Sequence, residues 1–181
     1  MDATNVLAID PIVASLATMR PDGTIEPTAE RDFARTFAAI DIEPHVPLEV
    51  RGGFVFARNA MCYGYWCYGM LTLGAQQMLR VADDALGYAV RERGISKRLT
   101  FADRICKLVE LGAIPAEDEI RWDGARNLRN SATHQKFQQI WSPGMAGQMV
   151  STVATLLARV SWPRSEPTET AEDTADPGDS S

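Results

Sequence analysis

The sequence contains few of the residues that stabilise small proteins through covalent or metal links. Its 181 residues include only three cysteines and two histidines. Cys62, Cys67 and Cys106 are odd in number and show no C-x-x-C spacing, which argues against a disulfide framework or a zinc site. We therefore expect no metal ion and a reducing compartment.

Long apolar runs and nucleotide-binding motifs are also missing. No stretch reaches membrane-spanning length without a polar interruption, and the first residues include Asp2, Asp10 and Pro11 instead of a secretory signal. No G-x-x-x-x-G-K-[ST] loop, G-x-G-x-x-G turn, G-x-S-x-G elbow or H-E-x-x-H helix occurs. Nucleotide hydrolysis, dinucleotide redox chemistry and zinc proteolysis therefore lack support. We expect a cytoplasmic protein with no cofactor and no membrane association.

Charge is unevenly distributed along the chain. Residues 165–181 carry six of the 24 acidic residues and none of the 18 basic residues, so residues 1–164 hold 18 of each sign. The formal net charge of -6 thus describes the C-terminal tail and does not exclude an anionic partner. Because the tail has no large apolar residue, it is expected to be disordered. It serves either for solubility or as a competitor of RNA for a basic surface.

Helical periodicity dominates the remainder, and no strand pair is expected. Turn residues lie at 20–23, and prolines and glycines make residues 41–53 a connecting segment. Caps and stops predict helices from Thr28 to Ile40, Phe56 to Arg93, Thr100 to Gly112, Glu117 to His134 and Ser142 to Trp162. The expected fold is an all-α, up-and-down bundle of four main helices plus an N-terminal helix. Its parts are an N-terminal arm with one helix (1–53), the bundle (54–163) and a disordered acidic tail (164–181).

Polar side chains share one broad arc of the helix that approaches His134. At 100° per residue, Ala125, Leu128 and Ala132 form the packing face. The arc beside and opposite that face holds Arg126, Arg129, Asn130, Thr133 and His134. Two guanidiniums, an amide and an imidazole are suited to binding a phosphate and exchanging a proton.

The segment Arg129-Asn130-x-x-x-His134 resembles the R-x4-6-H motif of HEPN domains, in which a polar residue, often Asn, follows the Arg. Its place in the helix before the last one of a bundle also matches, and the resemblance covers roughly residues 54–160. HEPN domains with activity are metal-independent endoribonucleases. The resemblance implies a homodimer in which the Arg and His residues of both subunits share one cleft.

The resemblance also implies roles for individual residues. His134 would act as general acid or base when a ribose 2′-OH attacks the adjacent phosphate, while Arg129 would stabilise the transition state and Asn130 would orient the His or the phosphate. On the long helix, Asp83 or Asp84 would help to position the motif Arg. Alternatively, Asp84 forms only a surface ion pair with the arginine one turn earlier. Arg126 and Thr133, taken from the helical arc, are expected to bind substrate.

The expected partners are RNA and a second copy of the chain, together with an antitoxin or defence-system protein; no DNA partner is predicted. One alternative is a non-catalytic HEPN-like module that binds a nucleotide, an RNA or a protein. A second is a structural helical dimer joined through an aromatic segment, residues 63–68, which otherwise belongs to the core. The neutrality of residues 1–164 weighs mildly against a stable RNA complex.

Overall fold

A computed structural model describes residues 8–95, 98–133 and 141–163, with Thr133 described by its backbone alone. Seven α-helices and one two-stranded hairpin lie within these ranges, so the prediction of a mainly helical chain is confirmed. In chain order the elements are α1 (Pro11–Ala14), β1 (Ala17–Met19), β2 (Ile25–Pro27), α2 (Glu30–Ala38), α3 (Leu48–Cys62), α4 (Tyr68–Arg91), α5 (Phe101–Glu110), α6 (Glu119–Thr133) and α7 (Pro143–Ala158).

The helix α4 is the centre of the fold, because it packs against α3, α5, α6 and α7. Its apolar stripe includes Ala75, Leu79, Ala82 and Leu86, all of which are buried. Side chains from the surrounding helices complete one core, whose largest members include Phe33, Phe37, Phe54, Leu108, Trp122 and Leu156. A helix that is apolar on several sides is expected at such a central position.

The prediction of a single long helix from Phe56 to Arg93 is wrong, because the chain turns back at residues 63–67. The helix α3 ends at Cys62, a short 3-10 turn follows, and α4 begins at Tyr68. The carboxylate of Asp10 accepts a hydrogen bond of 2.8 Å from the backbone nitrogen of Tyr68 and so caps α4. The apolar stripe continues across this break at unchanged spacing, which is why periodicity did not reveal it.

The paired helices α3 and α4 approach closely at Gly74. A Cβ atom at this position would lie 2.6 Å from Cγ of Met61 and 2.8 Å from the carbonyl oxygen of Ala57. Glycine is therefore required for the observed separation of the two backbones.

The start of α3 also corrects the interpretation of residues 41–53 as a purely connecting segment. The helix begins at Leu48, directly after Pro47. The predicted domain boundary between residues 53 and 54 consequently falls inside α3. The side chains of Phe33 and Phe37, on α2, are buried in the same core as Phe54.

A β-hairpin occurs where no strand pair was expected. The strands β1 and β2 are antiparallel, and Thr18 lies opposite Glu26. The predicted turn at residues 20–23 joins them, with Gly23 at a φ of 85°. Each strand has three residues and no buried side chain. Such short, exposed strands lack the alternation of apolar and polar residues by which strands are identified from sequence.

Two predicted helix caps are confirmed and one is wrong. The hydroxyl of Thr100 caps α5, and that of Ser142 caps α7. The helix α2 begins after Ala29, whereas the hydroxyl of Thr28 lies 3.0 Å from that of Thr18 in the hairpin. At the other end of the chain, α7 stops at Ala158, about one turn before the predicted end.

Within the described ranges, none of the helices combines the length and the apolar composition that crossing a membrane requires. The predicted disordered tail, residues 164–181, lies outside the described residues.

Candidate functional site

The helix α6, which carries most of the predicted site, is fixed at its N-terminal end by a buried carboxylate. Asp118 is 1% exposed and accepts a hydrogen bond from Nε of Arg159, at the end of α7. Nη2 of Arg159 also donates to Glu117 at 2.6 Å. One turn further on, Trp122 is buried in the core. These contacts set the rotation of α6 and so determine which of its side chains face α4.

Arg129 lies next to α4, where its guanidinium meets Asp83. Nη2 of Arg129 is 3.2 Å from Oδ2 of Asp83, and Nη1 donates to Oδ1 of Asn130 at 3.4 Å. The Asp83 side chain is 14% exposed and that of Arg129 is 39% exposed. The carboxylate thus anchors the guanidinium from the protein side, while part of Arg129 remains at the surface.

Asp83 also binds a second arginine, which the sequence analysis did not identify. Nη1 of Arg104, on α5, donates to Oδ1 of Asp83 at 2.6 Å and to the Asp83 carbonyl oxygen at 3.1 Å. One carboxylate therefore links α4, α5 and α6. We call Asp83, Arg104 and Arg129 the Asp83 cluster. The formal charge of the Asp83 cluster is one positive unit, since two guanidiniums share one carboxylate.

Arg126 is close in sequence to Arg129 but has a different partner. Its Nε donates to Oδ1 of Asp123 at 2.7 Å, and Asn127 donates to the other oxygen of that carboxylate at 3.2 Å. The hydrogen bond with Arg126 lowers the pKa of Asp123, and the same bond raises the pKa of Arg126. Because this pair is neutral, Arg126 adds less positive charge to the site than the sequence predicted.

The structure does not bring Asp84 to Arg129. Asp84 is exposed and lines a groove between α3 and α4 together with Gln77, Tyr88 and Arg91. Adjacent helical residues point about 100° apart, so only one of the two predicted aspartates can face α6. That residue is Asp83. No ion pair joins Asp84 to Arg80 in the described part of the chain, contrary to the alternative interpretation.

Two further predicted residues lie at the limit of what is described. His134 lies outside the described residues, and Thr133 is described only as the last backbone position of α6. Of the arginine and the imidazole that the sequence predicts for the site, only Arg129 is therefore described. Among the described residues, no three His, Cys, Asp or Glu side chains are grouped in a way that would hold a metal ion.

The predicted packing face of α6 is only partly buried. Ala125 is buried, but Leu128 is 37% exposed, which corrects the prediction that it packs in the core. Leu128 lines an apolar cleft of about 500 Å³ between α6 and α7, with Trp141, Met145 and Met149 on its other sides. A helical wheel assumes that the packing face contacts a neighbouring helix along its whole length, whereas at Leu128 this face borders a cleft.

The described arrangement can hold an anion. A guanidinium provides donors in a planar fork that matches two phosphate oxygens. Arg129 is anchored on one side by Asp83, so less side-chain entropy is lost when an anion binds to it. A proton-transfer group would have to come from a residue other than the Asp83 cluster.

Comparison with known proteins yields no relative. The chain matches no protein-family model, no curated protein and no solved structure. The resemblance to HEPN domains therefore rests on the motif and on its helical setting.

Proposed function

We propose that the chain is a metal-independent endoribonuclease of the HEPN type. The observation that carries the proposal is the contact between Arg129 and Asp83. Arg129 is the arginine that the motif resemblance selects, and it is anchored by an acidic residue of the preceding long helix while its side chain remains partly exposed. An oriented guanidinium at the surface is what stabilisation of a phosphorane-like transition state requires.

The proposed reaction needs no group beyond the side chains and the RNA. The ribose 2′-oxygen attacks the adjacent phosphorus, the bond from phosphorus to the 5′-oxygen breaks, and the products are a 2′,3′-cyclic phosphate and a 5′-hydroxyl. His134 takes up or supplies a proton, since imidazole titrates near neutral pH. Arg129 binds the non-bridging oxygens, Asn130 orients the histidine or the phosphate, and Arg126 and Thr133 contact flanking RNA.

A homodimer is part of the proposal. On one α-helix, positions 129 and 134 point about 140° apart, so one subunit does not bring the two side chains to a single phosphate. Two copies of the helix in antiparallel arrangement would. A toxin-antitoxin or anti-phage role, with a protein partner that restrains the activity, is the biological setting that the HEPN resemblance favours.

The experiment compares purified wild type with Arg129→Ala and His134→Ala on cellular RNA in the presence of EDTA. Arg35→Ala is the matched control, because it removes the same charge from an exposed side chain of α2. We expect cleavage that persists in EDTA, is retained in the control and is lost in both site variants. Wild type that leaves RNA intact would overturn the proposal. Sedimentation of the same samples tests the dimer, and cleavage by a monomer would contradict the shared cleft.

The second candidate is a non-catalytic HEPN-like module. It is favoured by one observation, namely that the Asp83 cluster has a net positive charge without any contribution from a histidine. Such a module would bind RNA or a nucleotide in a way that depends on Arg129 but not on His134. Binding without cleavage in wild type, lost in Arg129→Ala and kept in His134→Ala, would support it over the enzyme.

A further inference from the structure

Arg104 is linked to Arg129 through the carboxylate of Asp83. Each oxygen of the Asp83 carboxylate is bound to a different arginine, Oδ1 to Arg104 at 2.6 Å and Oδ2 to Arg129 at 3.2 Å. We infer that Arg104 is a positioning residue, which orients the Asp83 carboxylate toward Arg129 and keeps the anion site positively charged. The inference rests on the proposed function only in that Arg129 is taken to bind phosphate.

The orientation follows from the two hydrogen bonds that Arg104 makes. The same nitrogen, Nη1, donates to the carboxylate and to the backbone carbonyl of Asp83. A carboxylate on a helix can otherwise turn about its side-chain bonds. The Arg104 contact fixes one oxygen and thereby directs the other toward α6.

Arg104 also offsets the negative charge that Asp83 places next to Arg129. With Arg129 as its only partner, Asp83 would neutralise that guanidinium. With Arg104 bound as well, the Asp83 cluster retains one positive unit. Both Asp83 and Arg104 are largely shielded from water, at 14% and 24% side-chain exposure, so solvent screens this effect less than it screens a surface pair.

The absence of a side chain at position 87 allows Arg104 to reach Asp83. Gly87 lies one turn after Asp83 on α4, and a Cβ atom there would lie 3.2 Å from Nη1 of Arg104 and 3.4 Å from its Cζ. The Arg104 guanidinium thus packs against the backbone of α4 at Gly87. Glycine within a helix costs about 1 kcal/mol relative to alanine, and here it leaves space for the Arg104 contact.

A purely structural alternative is that Arg104 only fastens α5 to α4. The two roles differ in what happens to anion binding when charges are removed. Under the structural role, stability falls but phosphate affinity does not follow the charge of the Asp83 cluster. Under the positioning role, phosphate affinity follows that charge, because the anion interacts with all members of the Asp83 cluster.

The experiment measures binding of inorganic phosphate to the full chain by the Nε–Hε NMR signal of Arg129, assigned with Arg129→Lys. Arg104→Gln should weaken phosphate binding by about five- to tenfold. The double variant Arg104→Gln with Asp83→Asn restores the net charge but not the anchoring of Arg129, so it should bind more tightly than Arg104→Gln and more weakly than wild type. Asp83→Asn alone should bind at least as tightly as wild type while the Arg129 signal loses its restricted rotation. Lys107→Gln, on an exposed residue of the same helix, is the charge-matched control.

The outcomes separate this inference from the ribonuclease proposal. Arg104→Gln that binds phosphate as wild type does, with an unchanged Arg129 signal, would overturn the inference even if wild type cleaves RNA. Phosphate affinity that follows the predicted order would support it even if RNA is not cleaved. An Arg129 signal that does not respond to phosphate in wild type also overturns it. Should Arg104→Gln fail to fold, wild type, Asp83→Asn and the double variant still test the order.

Discussion

Oδ2 of Asp83 lies 3.2 Å from Nη2 of Arg129 and joins the central helix α4 to α6. The other oxygen of the same carboxylate binds Arg104 of α5. A single side chain therefore connects three helices and also sets the position of the Arg129 guanidinium, the candidate phosphate-binding group. A change at Asp83 should accordingly affect stability and activity by separate physical routes.

The first prediction is that Asp83→Asn lowers the free energy of unfolding by about 2 kcal/mol, because two guanidiniums lose a charged acceptor. It should also lower kcat of RNA cleavage while KM stays the same or falls, since Arg129 loses its orientation but the site gains positive charge. Urea titration measures the stability. The neighbouring Asp84→Asn is the control for stability, and we expect a change within about 0.5 kcal/mol because Asp84 is exposed. Equal effects of the two variants on stability would contradict the prediction.

Features determined by nearby residues could be predicted from the sequence. The α5 cap depends on Thr100 and Asp103, which are three positions apart, and it was identified correctly. By contrast, the cap at the start of α4 comes from Asp10, 58 positions before the capped nitrogen of Tyr68. No local pattern links two such residues, and the apolar stripe continues across the break, so periodicity alone predicts one helix.

The site depends in the same way on residues that are distant in the sequence. The resemblance selected Arg129 and offered Asp83 or Asp84 as its support, and only a neighbouring helix decides between two adjacent aspartates. Arg104 was missed because its contact with Asp83 joins α5 to α4 across 21 positions. Gly87 is the one local sign, since a glycine inside an otherwise continuous helix indicates a close approach by another group. That sign does not identify the group.

The second prediction is that Gly74→Ala destabilises the fold by about 3 kcal/mol. The new methyl group would lie 2.8 Å from the carbonyl oxygen of Ala57 and 3.0 Å from the backbone nitrogen of Met61. Relief requires α3 and α4 to separate, because backbone atoms cannot turn aside as a side chain can. Differential scanning calorimetry should show a lower Tm.

Gly52→Ala is the matched control for that substitution. Gly52 lies within α3, and nothing lies within 4 Å of the position of its Cβ. Alanine should stabilise the helix there by about 0.5–1 kcal/mol, because it is the better helix former. If both alanine variants shift Tm in the same direction, the close approach at Gly74 is not as described.

The third prediction concerns the cap of α5, which carries Arg104. Asp103 donates its backbone N–H to Oγ1 of Thr100 at 3.2 Å, and the Thr100 N–H donates in return to Oδ2 of Asp103 at 3.2 Å. Thr100→Ala should cost about 1 kcal/mol, whereas Thr100→Ser should remain close to wild type. Chemical denaturation of the three proteins measures this difference. Identical stabilities for the alanine and serine variants would show that the hydroxyl does not contribute.

The last prediction concerns the reactivity of the thiols. Burial raises the pKa of Cys62, an effect that nearby Arg58 offsets in part, and its thiol faces the carbonyl oxygen of Ala34 at 3.8 Å. Cys106 is exposed on α5. Since the thiolate is the nucleophile, a raised pKa leaves less of the reactive form at pH 8. Iodoacetamide should therefore modify Cys106 at least about tenfold faster than Cys62, as measured by peptide mass spectrometry.

Denatured protein is the control, in which the two rates should converge because burial is lost. Equal rates in the folded protein would contradict the partial burial of the Cys62 thiol against Ala34 of α2.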